Sequence, residues 1–385
     1  MSGKRANGEG NIRKRADGRW EGRYTVGHDP ATGKQIIRNV LGKTQAEARA
    51  KLAAAIQQTA GLDILRAEQY TVGTWIQYWL DHYGRINLRP STHSSYSGML
   101  RGHIQPDIGS IKLTKLRTTD LQKFYSKLLT DGNIANTKKE NRSKGLKPES
   151  VRRIHFFIST ALEKAVAEKL IYLNPAKACA LPKKEHTEMK TLPLDKINVF
   201  FKEAKNSNIY EMLLLELVTG LRKGELIGLK WTDVDYDTGM IKIQRQICKI
   251  DGTLTESPLK TKNAYRKIVI PTDVAEVLRD KQKRDVGASE YIFFSPSSGG
   301  PVSPGSVVAD LHRVLDRAGL PRVRFHDLRH TFATMALQNG VDVKTLSNIL
   351  GHFSAAFTLD TYAHVTASMQ QDAANKVGAF LNKYI

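Results

Sequence analysis

Cysteine is nearly absent from this sequence: Cys179 and Cys248 are the only two among 385 residues. Two cysteines cannot build a disulfide framework or a cysteine-rich zinc site, and their scarcity fits a reducing compartment. Because free cysteine is among the most frequently buried residue types, we expect both side chains in a hydrophobic core. The sequence therefore excludes a disulfide-stapled secreted domain.

Long apolar runs are missing as well. No uninterrupted apolar stretch approaches the roughly 18 residues that a transmembrane helix requires. The first five residues, MSGKR, are polar and basic, whereas a signal peptide needs an apolar segment. The sequence thus predicts a cytoplasmic protein that has no membrane partner.

Acidic residues are in the minority. The chain has 38 Asp and Glu against 59 Lys and Arg, which gives a formal net charge of +21. This excess indicates a polyanionic partner, and nucleic acid is favoured over a membrane surface. A chain of this length exceeds one ordinary hydrophobic core, so we expect two or three domains.

A complete nucleotide-binding loop is also lacking. Gly42-Lys43-Thr44 ends like a Walker motif, but the position where that motif needs its first glycine is Ile37. No cysteine or carboxylate cluster accompanies the histidines of the motifs described below, which argues against a metal site. We therefore expect no cofactor and no metal.

Residues 1–60 place aromatic and β-branched residues between glycine-containing turns. This pattern predicts three short strands, within 8–15, 18–26 and 34–41. A helix over 46–58 should follow, with Thr44 as its N-cap and Glu47 at the spacing of a capping box. The basic strands and helix favour a DNA-binding module over a solvated mini-domain without that role.

Residues 69–180 carry helical periodicity. Apolar spacing predicts an amphipathic helix over 71–83, helices that begin near Pro90 and Thr119, and a long helix over 150–170. The basic stretch 131–147 is typical of a loop. The charged segment 181–188 is suited to an interdomain linker.

From Lys190 onward the apolar residues follow helical spacing in some segments and strand spacing in others. This spacing predicts a helix over 210–218, two strands of one small sheet over 241–247 and 266–271, and helices over 327–337 and 343–350. A final amphipathic helix over 373–381 would carry an apolar stripe. We expect a neighbouring protomer to cover this stripe, with intramolecular packing as the alternative. The stripe consists of Ala373, Val377, Phe380 and Leu381.

A phosphate-binding site is predicted within this last region. His326 and Arg329 are three residues apart, so on a helix they share a face and can reach the same anion. Arg222 opens a predicted helix, where backbone N–H groups and the helix dipole also favour negative charge. Glu225 shares the face of Arg222 and can hold it by a charged hydrogen bond, although a plain surface glutamate is the alternative.

The order of six residues resembles that of the tyrosine recombinases, the phage- and transposon-integrase family of DNA strand-exchange enzymes. The family pattern is an Arg, a Lys, His-x-x-Arg, a His or Trp, and a Tyr. Every position is filled here, by Arg222, Lys260, His326, Arg329, His352 and Tyr362. The match is strong over the last half of the chain and weak before it.

The resemblance implies a nucleophile and its electrostatic support. Tyr362 would attack a DNA phosphate to give a 3′-phosphotyrosyl bond, and Arg222 and Arg329 would neutralise the developing charge. His326 and His352, whose ordinary pKa lies near neutrality, would donate to the phosphate oxygens or assist the proton transfer.

The resemblance also implies a general acid on a basic loop. Lys260 would protonate the departing 5′ oxygen, and Lys262, two residues further on, is the alternative for this role. His330 follows Arg329 directly, and we expect it to point elsewhere on the helix and to be structural.

The implied fold is a multidomain α+β architecture. A small three-stranded sheet plus a helix would form an arm-type DNA-binding domain over 1–60, followed by a helical core-binding domain over 69–180. A mainly helical catalytic domain with a small antiparallel sheet would occupy 188–385. The implied partners are double-stranded DNA at core and arm sites and a homo-tetramer on that DNA, with excision or host DNA-bending factors as further candidates.

Two other functions stay open. A type IB topoisomerase shares this chemistry but relaxes supercoils and needs no synapsis, and a DNA-binding regulator could have lost catalysis. The basic N-terminal region favours an integrase over the topoisomerase. The intact set of six residues argues against the regulator.

Overall fold

The computed structural model describes residues 10–28, 33–134, 144–185, 189–259, 261–352, 354–382 and 384. The chain divides into two compact units, Met1–His186 and Thr187–Ile385. The boundary falls within the polar segment 181–188 that the sequence marks as a linker, of which 186–188 lie outside the described residues. No helix in the described ranges is both long and apolar enough to cross a bilayer.

The first unit begins with a three-stranded antiparallel sheet in the order β1-β2-β3, formed by Asn11–Lys14, Trp20–His28 and Gln35–Gly42. Helix α1, Gln45–Thr59, buries Leu52 next to Gly22, whose missing side chain leaves room for it. The Thr44 hydroxyl caps this helix by accepting a hydrogen bond from Glu47 N at 3.2 Å. The three strands and the helix predicted from the sequence are therefore confirmed.

The rest of the described first unit is helical and surrounds a hydrophobic core. Trp75 is fully buried, and its indole N–H donates to Ala161 O at 2.8 Å, which ties the helix Val72–Trp79 to the helix Pro148–Ala167. π-Helical turns at Leu80–Gly84 and Leu100–Ile104 each connect two helices end to end. The helices are α2 Ile64–Gln69, α3 Val72–Trp79, α4 Arg85–Asn87, α5 Pro90–Met99, α6 Gln105–Asp107, α7 Thr118–Asp131 and α8 Pro148–Ala167.

The second unit is mainly helical with a small antiparallel sheet of order β4-β5-β8 and a separate two-stranded ribbon, β6-β7. This confirms the predicted fold class. The strands are β4 Val234–Asp235, β5 Met240–Ile243, β6 Arg245–Ile250, β7 Thr253–Pro258 and β8 Arg266–Val269. The helices are α9 Ile197–Ala204, α10 Tyr210–Thr219, α11 Lys223–Ile227, α12 Thr272–Arg284, α13 Pro304–Arg317, α14 Phe325–Gln338, α15 Val343–Leu350 and α16 Ala355–Leu381.

The prediction of core positions for the two cysteines is wrong. Both thiols are free and only half-buried. Cys179 directly follows the 3₁₀ turn Pro175–Ala178, and its Sγ is 3.8 Å from Thr118 O and 3.7 Å from Pro175 O. Cys248 lies on the β6-β7 ribbon, and a two-stranded ribbon offers little depth for burial.

The prediction of one strand over 241–247 is also wrong. β5 ends at Ile243 and β6 begins at Arg245, and the two strands belong to different sheets. Gln244 separates them, and its side-chain amide donates to Asp233 Oδ1 at 3.3 Å. Ile243 and Ile247 are both buried and four residues apart, so the period-two pattern continues across the break and conceals it.

The last helix begins earlier than predicted. α16 starts at Ala355, after Ser354 accepts a hydrogen bond from Phe357 N at 3.2 Å, whereas the apolar spacing predicts a helix only over 373–381. Tyr362 interrupts the helical geometry with φ −116° and ψ 21°. The predicted nucleophile therefore lies at a kink inside a helix.

Candidate active site

Arg222 sits where α10 ends and α11 begins. Gly220 closes α10 in the left-handed conformation, with φ 59°, and Arg222 is the residue that precedes the first turn of α11. The Arg222 guanidinium donates from Nη1 to Glu225 Oε1 at 2.7 Å and from Nη2 to Gly351 O at 3.0 Å. The predicted ion pair with Glu225 is therefore present.

Glu225 joins a second arginine to the first. Its carboxylate is 1% exposed, and its Oε2 accepts from Arg266 Nη2 at 2.9 Å. Burial acts to raise the pKa of Glu225, but Arg266 and Arg222 outweigh it and hold that pKa below its ordinary value. The carboxylate is therefore ionised and fixes both guanidinium groups.

Arg266 is not among the site residues predicted from the sequence. Its Nε donates to Ile349 O at 2.6 Å, so it also fixes the end of α15. A local signal was available: Arg266 and Ile268 are two apart on β8, and Ile268 is buried, so Arg266 projects to the buried face of that strand. A charged residue on the buried face of a strand indicates a buried partner.

Arg329 is the most deeply placed of these arginines. It is 2% exposed, and its Nη1 and Nη2 donate to Gly220 O at 2.6 Å and to Leu350 O at 2.7 Å. Burial lowers the pKa of Arg329 to about 10, with a further contribution from Arg222, so the guanidinium stays charged at neutral pH. Arg222 and Arg329 thus both donate to the segment 350–351, and Arg329 also binds the carbonyl of Gly220.

A buried carboxyl group lies in the electrostatic field of Arg329. Glu216 on α10 is fully buried, and neither of its carboxyl oxygens has a hydrogen-bond partner among the residues that the structure describes. Burial raises the pKa of Glu216 well above its ordinary value, although Arg329 and Arg266 oppose this effect. Burial therefore favours the protonated, uncharged form of Glu216.

His326 and His330 lie one turn apart on α14. Their ring centroids are 5.0 Å apart, and His330 Nδ1 is 2.8 Å from the Tyr362 hydroxyl oxygen. The prediction that His330 points elsewhere is wrong, because residues four apart on a helix share a face. Partial burial and the neighbouring His330 and Arg329 lower the pKa of His326 to about 4, and burial also lowers that of His330.

His352 follows Gly351, which closes α15 in the left-handed conformation. Its Nδ1 is 2.7 Å from Thr358 Oγ1. Burial and the charges of Arg329 and Arg222 lower the pKa of His352 to about 3. Together with His326 it is neutral at pH 7, so the expectation of a pKa near neutrality is wrong for both rings.

Tyr362 is buried in the structure. The side chain is 1% exposed, its hydroxyl contacts His330, and burial raises its pKa to about 12. In this arrangement the phenol is neutral and is shielded from solvent. A change of surroundings is needed before it can act as a nucleophile.

The lysine assignment stays a prediction. Lys260 lies outside the described residues, and Lys262 begins a 3₁₀ turn over Lys262–Ala264. A cavity of about 260 Å³ adjoins this segment and the arginine cluster. It is lined by Arg222, Glu225, Gln246, Leu259, Thr261, Ala264 and Gly351. In the described ranges, no group of three His, Cys, Asp or Glu residues could hold a metal ion.

Comparisons with known proteins point to one family. Residues 190–369 match the model of the phage integrase family, and residues 71–129 match that of the phage integrase N-terminal SAM-like domain. A tyrosine recombinase XerC-like protein of Caldanaerobacter subterraneus is 28% identical over 379 residues, which cover 91% of this chain and 93% of the relative. The ICEBs1 integrase of Bacillus subtilis is 24% identical over 395 residues, with coverages of 96% and 100%.

Two groups of solved structures share the fold. The Tn1549 transposon integrase in complex with transposon right end DNA aligns with a TM-score of 0.66 at 21% identity, over 80% of this chain and 99% of that one. A lambda integrase tetramer bound to a Holliday junction aligns with a TM-score of 0.56 at 22% identity, with coverages of 90% and 96%. At these identities the likeness establishes the fold.

Proposed function

The chain belongs to the phage integrase family of tyrosine recombinases, and we propose that it cuts and rejoins double-stranded DNA at specific sites as the integrase of a mobile element. The observation that carries this proposal is that two arginines meet at the chain segment that precedes His352: Arg222 donates to Gly351 O and Arg329 to Leu350 O. Fixed guanidinium groups beside a cavity suit a phosphodiester whose charge increases during the reaction.

The reaction exchanges one phosphate ester for another. The Tyr362 oxygen attacks phosphorus and loses its proton, a bond forms to the 3′ phosphate, and the 5′ oxygen leaves as a hydroxyl group after protonation. Lys260 is the first candidate for that general acid and Lys262 the second. The phosphotyrosyl bond conserves the energy of the broken ester, so neither ATP nor a metal enters the scheme.

The charge state of each histidine and the groups that it contacts suggest its role in the reaction. His326 and His352 are neutral at pH 7, so they would assist by hydrogen bonds to phosphate oxygens instead of by charge. His330 is the ring in contact with the Tyr362 hydroxyl. Its lowered pKa leaves it neutral and able to accept the phenol proton from the observed position.

The proposal includes a division of labour along the chain. Residues 1–60 would bind arm sites, 69–180 would bind the core site, and 188–385 would carry the chemistry, on bacterial nucleoid DNA. A solved relative is a tetramer on a Holliday junction, and we propose a homo-tetramer on DNA here as well. Excision or host DNA-bending factors would assist as further partners.

A nicked suicide substrate tests the mechanism. Duplexes taken from the DNA that flanks the gene, nicked next to the cleavage position, trap the covalent complex because the short released strand diffuses away. Tyr362→Phe removes one hydroxyl and its contact with His330, so it should preserve folding and DNA binding and abolish the adduct on a denaturing gel. Tyr291→Phe is a matched control, since Tyr291 is also buried and its hydroxyl bonds to Glu256 at 3.1 Å.

Peptide mapping completes this test. The DNA label should map to the peptide that contains Tyr362. An adduct that persists in Tyr362→Phe, or a label on Tyr291 or another tyrosine, would contradict the assignment of the whole motif. Relaxation of a supercoiled plasmid that lacks the flanking sequences would instead favour the topoisomerase.

A further inference from the structure

The N-terminal sheet has one covered face and one open face. Leu52 of α1 lies against the face that contains Gly22 and its cross-strand partner Val40. Glu21 is adjacent to Gly22 in β2, so its side chain points to the opposite face. Cross-strand pairing places Arg13 beside Glu21 and Asn39 beside Arg23 on that open face. The open face is therefore basic, with one carboxylate at its centre.

Glu21 is nearly inaccessible although it lies on the open face. Its side chain is 1% exposed, whereas those of Arg13 and Arg23 are 52% and 43% exposed. The cover thus comes from the neighbouring side chains. Glu21 Oε2 lies 2.6 Å from Arg13 Nε and 3.2 Å from Arg23 Nε. Glu21 Oε1 lies 2.7 Å from Asn39 Nδ2 and 3.5 Å from Arg15 Nη1.

These contacts fix the charge state of the group. Hydrogen bonds from Asn39 and Arg13 lower the pKa of Glu21 to about 2, so the carboxylate is ionised at neutral pH. An anion at this position reduces the attraction of the face for DNA phosphates. Non-specific attraction to DNA therefore does not explain why a glutamate occupies the centre of a basic surface.

Orientation of the arginines does explain it. Glu21 engages the Nε of both Arg13 and Arg23, the guanidinium nitrogen nearest to the backbone. Each guanidinium has further N–H donors at its outer end, and such donors bind O6 and N7 of guanine in the major groove. A long side chain that is already held in place loses less conformational freedom when it binds.

We propose that Glu21 is a positioning residue that orients Arg13 and Arg23 for contact with guanine edges in the major groove of duplex DNA. This inference rests on the proposed function, because it requires residues 1–60 to bind DNA. The basic residues of the open face would attract the duplex, whereas Glu21 would determine which DNA sequence is preferred.

The test compares specific with non-specific binding by the full-length chain. A duplex is first selected by the wild-type protein from a random-sequence pool, and the dissociation constants for this duplex and for an unselected duplex are measured by fluorescence anisotropy. Glu21→Gln removes one negative charge, so binding of the unselected duplex should stay equal or tighten. Binding of the selected duplex should weaken by about 10-fold, within the range for loss of one well-placed base contact.

Asp17→Asn is the matched control. Asp17 is a more exposed acid at the turn between β1 and β2, and it pairs with Arg19 at 2.7 Å. It shares Arg15 with Glu21, at 3.5 Å from each carboxylate, but forms no ion pair with Arg13 or Arg23 among the residues that the structure describes. The same change of charge there should leave the ratio of the two dissociation constants unaltered. A double-mutant cycle should also show that Arg23→Lys and Glu21→Gln are not additive, because both act through one guanidinium.

Several outcomes would overturn the proposal. An unchanged ratio in Glu21→Gln would exclude a positioning role, and an equal loss of binding to both duplexes together with a lower melting temperature would show a merely structural one. If deletion of residues 1–60 leaves the selected sequence unchanged, the proposed arm-binding function fails and this inference fails with it. If that deletion changes the selected sequence while Glu21→Gln keeps the ratio, only the inference about Glu21 fails.

Discussion

Two arginines of the site differ in how much they support the fold. The Arg222 side chain is 38% exposed and donates to one backbone carbonyl, that of Gly351, and to the carboxylate of Glu225, which Arg266 also holds. Arg329 is 2% exposed and satisfies the carbonyls of Gly220 and Leu350. Removal of a buried donor leaves its acceptors without partners, which costs about 1–3 kcal/mol for each group.

Replacement by alanine should therefore give different results at the two positions. Arg222→Ala should slow single-turnover cleavage by about 100-fold or more, as expected for the loss of one fixed donor to the transition state. Its loss of stability should be smaller than that of Arg329→Ala, because the buried Glu225 keeps Arg266 as a partner. Arg329→Ala should lose both activity and several kcal/mol of stability. Urea unfolding alongside cleavage kinetics checks this, and equal stabilities of the two variants would contradict it.

The buried Glu216 predicts a dependence of stability on pH. Its folded-state pKa is raised above the ordinary value of 4.5, so its contribution to stability is present below that pH and is lost as the pH rises towards the folded-state pKa. Glu216→Gln keeps the shape and cannot ionise. We expect it to unfold at a higher temperature than the wild type at pH 8.

The advantage of Glu216→Gln should shrink as the pH falls towards 4.5. Thermal unfolding at a series of pH values measures this difference. Glu211→Gln is the control, because Glu211 lies on the same helix and pairs with Arg284, whose side chain is 63% exposed. A difference between Glu216→Gln and wild type that is independent of pH would refute the prediction.

At the scale of elements, two left-handed glycines position the site. Gly220 and Gly351 end α10 and α15, and their backbones carry carbonyls that accept from Arg329 and Arg222. A Cβ atom on Gly220 would lie 2.4 Å from Phe332 Cδ1, closer than van der Waals contact allows. Any other residue at the end of α10 would therefore be strained and would displace Phe332.

Gly220→Ala should destabilise the protein by about 2–5 kcal/mol, the sum of the left-handed strain and of the clash. Gly319→Ala is the matched control, since Gly319 has φ 63° but nothing within 4 Å of an added Cβ. It should cost only about 1–2 kcal/mol. Denaturant unfolding of both variants measures the difference, and equal costs would contradict the predicted clash.

The last helix carries a second prediction at this scale. Val377, Phe380 and Leu381 are 59%, 59% and 48% exposed, while the fourth member of the stripe, Ala373, lies outside the described side chains. Truncation after Thr366 should weaken assembly on DNA more than binding by one protomer, because an apolar stripe gains stability by being covered. Gel-shift titration separates the two species, and an equal loss of both would favour intramolecular packing.

At the scale of the whole molecule, the net positive charge and the division of the chain into proposed DNA-binding regions both bear on DNA affinity. The formal charge of +21 predicts that DNA affinity falls steeply with salt, since each neutralised phosphate releases counterions. Residues 1–60 belong to the same compact unit as the helices that follow, and Arg38 forms an ion pair with Glu68 across that junction. The proposed arm-binding module is therefore in contact with its neighbour.

Deletion of residues 1–60 should leave cleavage of a short core duplex largely intact and should remove binding to distant arm sites. It should also reduce the slope of log affinity against log salt, because fewer phosphates are contacted. Filter binding from about 50 to 200 mM salt measures the slope. Loss of core cleavage would show that the region is not separable, and a nearly flat slope in the full chain would refute the electrostatic premise.

The sequence by itself determined what depends on short-range spacing. The three N-terminal strands, the Thr44 cap, the amphipathic helix after Thr71 and the Arg222–Glu225 pair all follow from residues within a few positions of one another. Side chains three or four apart on a helix meet whatever the rest of the chain does, so such features are visible before the fold is known.

The tertiary structure alone decided the features that join distant segments. The bond from Arg266 to Ile349 spans 83 positions and that from Arg329 to Gly220 spans 109, and no local pattern encodes either partner. The burial of Glu216, the contact between His330 and Tyr362 and the break at Gln244 likewise depend on which elements pack together. Burial and neighbouring charges set the pKa of His326 and His352, so their neutrality required the packed site.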